Sequence, residues 1–340
     1  MNNYEHYLQD DYAEYEADFN PMQIDRKARR KRKKSINHIA KKAEGEVVEE
    51  IAEDASDSAL TIKTTYKPGI FEEEWLMGSL TTFFDRNLIT DVLGQVKGGK
   101  EASVYRCEAT ESTGVELLAA KVYRPRKFRQ LSNDRMYREG REILKAGGEK
   151  LDGRDDRIIR ALNKKSAFGQ QVAHTSWLTY EFNTLKTLHA LGADVPKVYA
   201  AGDNAILMEY LGDPYVAAPL LINVRLDEDE AKDLFKRVMW NIDLMLQNDA
   251  IHGDLSAYNI LYWEGDITII DFPQVTNPHT NSNARFILAR DITRVCEYFQ
   301  SQGVECDPER ILQRFWERYL MPNPEDLAAD LSRFEIEDDE

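Results

Sequence analysis

The chain has 340 residues, 42% of them hydrophobic and 31% charged, with a formal net charge of −16. That is the composition of a soluble globular protein, long enough for two packed lobes, and it excludes a uniformly basic nucleic-acid binder. Cys107, Cys296 and Cys306 show no CxxC spacing, which excludes a disulfide framework or a zinc ribbon.

Residues 1–65 read as a charged N-terminal arm, expected to be disordered because like charges repel and little apolar surface is available to bury. Within it, Arg26 to Lys34 is a nearly unbroken basic block, flanked by acidic stretches. Such a block can neutralise phosphates, so contact with RNA or a ribosomal subunit is one expectation and a solvated arm the other. No membrane span, DNA partner or secretory leader is expected, which places the protein in the cytoplasm.

A folded region is expected from Tyr66. Trp75, Leu76, Leu80, Phe83 and Phe84 predict an amphipathic helix over 72–84. Strands are predicted over 88–96, 104–107 and 117–123, with a turn at Gly114, giving an antiparallel sheet. A flexible insertion with partial helix is expected near 128–165, then a helix over 172–191 ended by Gly192, then strands at 198–199 and 205–210 that complete the sheet. Residues 66–211 thus read as one lobe and 212–330 as a second, mainly helical one. Its helices are predicted from Asp227, a capping residue, then over 283–302 and 308–319, before an acidic tail at 331–340. The fold class is α+β and bilobal.

The chemistry concentrates in His252-Gly253-Asp254-Leu-Ser-Ala-Tyr-Asn259, followed by a hairpin at Glu264-Gly265-Asp266 and then Ile-Ile-Asp271-Phe. Asp254 can orient or deprotonate a hydroxyl, while Asn259 and Asp271 offer oxygen ligands of the kind Mg²⁺ prefers on phosphates. His252, in apolar surroundings, reads as a packed residue that shapes the loop. Upstream, Gly98, Gly99, Lys100, Glu101, Ala102, Ser103 and Val104 lie between two strands and can form a phosphate-covering hairpin. Lys121 sits inside an apolar strand and needs partners; Glu181, on a helix, is the best carboxylate available.

Together these motifs resemble a RIO kinase, an atypical serine protein kinase family with ATPase activity, over roughly residues 70–305. The resemblance implies a protein-kinase-like fold and a hinge at Met208-Glu209-Tyr210-Leu211, where the backbone of Glu209 and Leu211 would meet adenine. It also implies that Ala289-Arg290-Asp291 is a family segment. By the same likeness, ATP and Mg²⁺ (or Mn²⁺) are the cofactors, autophosphorylation accompanies ATP turnover, and the family's role lies in ribosome biogenesis. Asp271 would be a metal ligand and a candidate phosphate acceptor. The chain departs from the pattern at Lys97-Gly98, which stands where Ser-Thr commonly opens the phosphate loop. Features of both family branches are mixed, and no winged helix is expected within 1–65. Asp271-Phe-Pro, with no Ala-Pro-Glu after it, implies no activation segment. Two alternatives remain open: a small-molecule phosphotransferase of the aminoglycoside or choline kinase type, and a non-catalytic ribosome-binding scaffold.

Overall fold

The computed structural model describes residues 63–99, 101–124 and 155–321 except 165, with scattered positions between 136 and 151. The basic block 26–34, Lys100 and the acidic tail lie outside the described residues. The described residues open with α1 (Ile70–Asp85) and the strands β1 (Ile89–Gly98), β2 (Ala102–Ala109) and β3 (Leu117–Tyr123). Helices α2 (Asp156–Asn163) and α3 (Ala167–Ala190) follow, then β4 (Val198–Ala201) and β5 (Ala205–Glu209). The second lobe holds α4 (Glu228–Gln247), the hairpin β6 (Ile260–Trp263) and β7 (Asp266–Ile269), α5 (Ala284–Ser301) and α6 (Pro308–Tyr319).

The five-stranded sheet runs β1-β2-β3-β5-β4, antiparallel throughout, so β3 is central and Lys121 pairs with Val104 on one side and Ile206 on the other. Alternation gives the sheet two apolar faces. Tyr105, Cys107, Leu118 and Ala120 face α1, whose Leu76, Leu80 and Phe83 are fully buried; each contributes about 2 kcal/mol of transfer free energy. Ala119, Tyr123, Ile206 and Met208 form the opposite face and pack on Leu178 of α3. Thr65 already belongs to this lobe, since its amide donates to Asp91 Oδ1 at 2.8 Å.

Local chemistry sets the element ends. Ser166 caps α3 by accepting from the Gly169 amide at 3.2 Å, which starts the helix several residues before the predicted boundary. Asp227 caps α4 through the Glu230 amide at 2.9 Å, and Asp307 caps α6 through the amides of Glu309 and Arg310. The Glu230 carboxylate, at the third position of α4, accepts from Tyr262 Oη. Glu264 and Gly265, with φ of 51° and 91°, make the two-residue turn between β6 and β7.

The second lobe has its own core, where Val238, Ile242 and Met245 of α4 meet Ile287, Ile292 and Val295 of α5 and Ile260 and Ile269 of the hairpin. Leu185 and Leu188 of α3 belong to this lower core, so α3 spans both lobes. The described residues of the expected insertion are docked on the body. Tyr137 is buried, the Leu144 amide donates to Ser176 Oγ at 2.8 Å, and Glu139 accepts from Ser282 and Asn283 at 2.8 and 3.0 Å.

Candidate active site

Three elements converge on Asp271. From β3, Lys121 Nζ lies 2.6 Å from Glu181 Oε1 of α3 and 2.6 Å from Asp271 Oδ1. Lys121 and Glu181 are buried, at 8% and 1% exposure. Neither a lysine snorkelling from an edge strand nor a glutamate on a solvated helix face fits that placement. Glu181 also accepts from Tyr123 Oη. Burial pushes the Lys121 ammonium down, yet the Asp271 and Glu181 carboxylates outweigh it and hold the group well above the usual lysine value. Asp271 shows the complement: crowding by protein raises it, the Lys121 cation lowers it further, and the net direction is down. Its side chain nevertheless keeps 44% of its surface open, as a ligand-facing carboxylate in a cleft must.

The Asp254 loop is tied beneath this group. Asn259 Nδ2 donates to the Asp254 carbonyl at 2.8 Å and to its Oδ2 at 3.0 Å, so the atom of Asn259 that could ligate a metal is its side-chain oxygen Oδ1. The Ile270 amide donates to the Asn259 carbonyl at 2.9 Å, so Asn259 and Asp271 sit at one edge of the β6–β7 hairpin. His252 is buried against the Phe272 ring, with centroids 4.5 Å apart, and burial lowers its pKa. Neutral, it bonds the Ile270 carbonyl through Nε2 at 3.1 Å and accepts from the Asp254 amide at Nδ1, a packing role as expected. Gly253 has φ 85°, and a Cβ there would come within 2.4 Å of the Gln274 carbonyl, so only glycine lets the two loops approach this closely.

Within the phosphate loop, the Gly99 amide donates to the Ala102 carbonyl at 3.0 Å, and a Cβ at Gly99 would meet that oxygen at 2.7 Å. Gly98 pairs with Ser103 across the β1–β2 turn. Ala102 and Val104 share the sheet face of Lys121, whereas Ser103 alternates onto the face of Tyr105 and Cys107 and is buried at 1% exposure. Only its backbone is left for the cleft. Glu101 belongs to the turn, where its carbonyl accepts from the Arg124 amide at 2.8 Å. At the hinge, Met208 faces the cleft side of the sheet. The Glu209 amide donates to Lys197 and the Leu211 carbonyl accepts from Ala218, at 2.8 and 2.9 Å. These bonds leave the Glu209 carbonyl and the Leu211 amide, an acceptor and a donor two residues apart, to serve a flat heterocycle.

Several residues at the site were given no role by the motif reading, which noted Ala289-Arg290-Asp291 only as a family segment. Asp291 of α5, 1% exposed, accepts from the amides of Gly253 at 2.7 Å and Leu255 at 3.1 Å, and burial pushes it up to about 7. Arg290 donates to the Gly253 carbonyl and to Tyr137 Oη. Arg294, one turn further on, places Nη1 2.8 Å from Asp254 Oδ1. A charged pair inside the apolar stripe of Ile287, Leu288, Ile292 and Val295 was the available signal. Trp177, one turn before Glu181 on α3, donates from its indole to the Pro273 carbonyl at 2.9 Å.

The oxygen pair at Asn259 and Asp271, with a cation at Lys121, fits a magnesium-bound triphosphate. Mg²⁺ takes one or two protein oxygens and completes its shell with water and phosphate. Such a site needs no cluster of three His, Cys, Asp or Glu, and none occurs among the described residues. No helix among them is long and apolar enough to cross a membrane.

A family model for the RIO domain matches residues 103–311, which include every part of this cleft from Ser103 onward. Serine/threonine-protein kinase RIO1 of Chaetomium thermophilum is 29% identical over 249 residues, which cover 69% of this chain and 44% of that protein. The RIO-type serine/threonine-protein kinase Rio1 of Haloferax volcanii is 28% identical over 221 residues, covering 65% of this chain and 67% of the relative. Its namesake from Methanocaldococcus jannaschii is 26% identical over 264 residues, covering 77% and 81%. The chain therefore spans less than half the length of the Chaetomium relative. The match over more than half of the sequence, laid on a two-lobed fold whose central strand, bridging helix and paired loops meet at one cleft, means that this chain belongs to the RIO kinase family.

Proposed function

We propose that the protein is a RIO-type serine kinase and ATPase that transfers the γ-phosphate of ATP, with its own chain among the acceptors. The observation that carries this reading is Lys121, held at 2.6 Å from both Glu181 and Asp271 above the Asp254–Asn259 loop. A magnesium ion bound with ATP would neutralise phosphate charge and draw the γ-phosphoryl group into line with its acceptor. The protein supplies position. Asn259 and Asp271 would hold the ion, and Lys121 would take the phosphates while Glu181 keeps its direction. The backbone of 98–104 would cover the phosphates, and the Glu209 carbonyl and Leu211 amide would meet adenine. Asp254, fixed by Asn259 on one oxygen and Arg294 on the other, would orient the attacking hydroxyl or water.

The relatives' names support serine/threonine-protein kinase activity and identify no particular acceptor protein. The rest of our reading places the protein in the cytoplasm, in ribosome biogenesis, with Arg26–Lys34 contacting a ribosomal subunit or its RNA; Asp271 could carry a transferred phosphate. No observation favours a small-molecule acceptor or a scaffold without catalysis. The test is incubation with γ-labelled ATP and Mg²⁺: label and free phosphate are expected from the wild type and neither from Asp254→Ala. Equal turnover in the two proteins overturns the reading.

A further inference from the structure

The loop after Asp271 is held from outside by two side chains that no motif reading assigns to the site. Asp271 has φ 71°, a left-handed conformation that a residue with a Cβ resists. Something must hold it there. Upstream, the Ile270 amide is bonded to Asn259, and Phe272 is buried against His252. Downstream, the Pro273 carbonyl accepts from Trp177 Nε1 at 2.9 Å and from Arg141 Nη2 at 2.7 Å. Arg141 Nε donates to the Val275 carbonyl at 2.9 Å, and its guanidinium lies 5.1 Å from the Tyr180 ring.

Trp177 and Glu181 stand one turn apart on α3 and so share a face. Glu181 reaches the Asp271 carboxylate through Lys121, and Trp177 reaches the backbone two residues beyond it. The helix thereby grips Asp271 at both ends, while Arg141, from the far side of the chain's insertion, closes the same grip. We propose that Trp177 and Arg141 are positioning residues for the metal loop: by bonding the Pro273 and Val275 carbonyls they fix the left-handed turn that aims the Asp271 carboxylate at a divalent cation. The inference rests on the reading of Asp271 as a metal ligand. Groups that orient a ligand from outside the coordination sphere typically change metal affinity by about tenfold or more.

Trp177→Phe isolates the effect. It keeps a ring against Tyr123, whose centroid lies 4.5 Å from that of Trp177, and removes the N–H donor. Arg141→Met removes the second donor while keeping an apolar stem. Mn²⁺ binding to the full chain would be titrated by electron paramagnetic resonance with a non-hydrolysable ATP analogue, beside metal-free analogue binding and Mg²⁺-dependent turnover. Each variant is expected to bind Mn²⁺ about tenfold more weakly, to bind the metal-free analogue normally, and to recover turnover at high Mg²⁺. If one variant fails to fold, the other decides. Mn²⁺ affinity within twofold of wild type, or lost turnover that Mg²⁺ does not restore, overturns the inference. Asp271→Asn separates the two levels. If it leaves Mn²⁺ binding intact, the metal-site reading itself is wrong. If it abolishes binding while Trp177→Phe and Arg141→Met do not weaken it, only the positioning role fails.

Discussion

Removing the Lys121 cation tests the buried centre most directly, because it orphans Glu181, which is 1% exposed and has Lys121 Nζ at 2.6 Å. Breaking one partner of a buried pair costs about 3–5 kcal/mol. The cost has a ceiling, since an orphaned carboxylate can escape by taking up a proton. For an ordinary glutamate, carrying that proton at pH 7 costs about 3.7 kcal/mol, and at pH 5 about 1 kcal/mol. Lys121→Met is therefore expected to lose about 3 kcal/mol at pH 7, a fall of roughly 6–12 °C in thermal midpoint for a folded region of this size. The deficit should shrink as pH falls. Asp271 adds little to it, because its side chain is 44% open to solvent. The double variant Lys121→Met/Glu181→Gln keeps an acceptor for Tyr123 Oη and removes the stranded charge. It should regain stability to within about 1 kcal/mol of wild type while phosphotransfer stays lost. Thermal melts of the three proteins at pH 5 and pH 7 provide the measurement. A single variant as stable as wild type at pH 7, or a double variant no better than the single, refutes the argument that Glu181 is a buried charge held by Lys121.

Asp291 titrates upward, to about 7, because burial disfavours its charge. A carboxylate raised in the folded state stabilises the fold fully below its unfolded value and loses that contribution as pH rises through 7. The melting advantage of wild type over Asp291→Asn should thus narrow between pH 5 and pH 8; an advantage that widens would contradict the sign. Arg294→Ala should lower the turnover number about tenfold with the KM for ATP unchanged, and guanidinium ion should restore part of it; unchanged turnover would leave the ion pair with Asp254 without a catalytic role. Deleting residues 1–45 should weaken co-sedimentation with ribosomes and flatten its salt dependence, and no change on deletion would remove the basic block from the functional account.

What the sequence made legible followed from patterns that act over short range. The strand Leu117–Tyr123 is placed at its predicted bounds because an apolar run closed by Pro125 leaves no other register. The helix Pro308–Tyr319 is likewise in place, since an Asp–Pro cap marks its start. That Asp254, Asn259 and Asp271 lie together was readable because one loop and one hairpin fix their spacing. Apart from the Lys121–Glu181 pair, contacts between distant segments were not readable. Arg141 meets Pro273 across more than a hundred residues, and nothing local to Arg141 distinguishes it from the other charges of the insertion. Ser103 was assigned to phosphate with its neighbours, yet strand alternation turns its side chain to the opposite face, a consequence of a period-two pattern that a loop motif conceals. The contacts of Asp291 and Arg294 were hidden for a third reason: on a helix that reads as core, their value lies in which loop the other lobe elements deliver to them.

The two cores bear on which part of the cleft would shift if a nucleotide enters it. Leu178 of α3 packs on the sheet, but Leu185 and Leu188 are built into the lower lobe, and beyond them the Asp194 carbonyl accepts from the Ile269 amide at 2.7 Å. Asn241 of α4 fixes the same residue, accepting from its amide at 2.8 Å and donating to its carboxylate at 2.7 Å. The helix is thus anchored below, and through Trp177 it is also tied to the metal loop. These bonds tie Glu181 and Asp271 to one frame, and the sheet-borne Lys121 would be the member that exchanges partners. In the structure Lys121 bridges both carboxylates. On the proposed reading, a triphosphate with its metal would compete for Asp271 alone, because Glu181 is buried beside the ammonium while Asp271 keeps 44% of its side chain open. Lys121 would then exchange one carboxylate for phosphate and keep the other. Glu181 behind the lysine would hold the ammonium charged and aimed through that exchange.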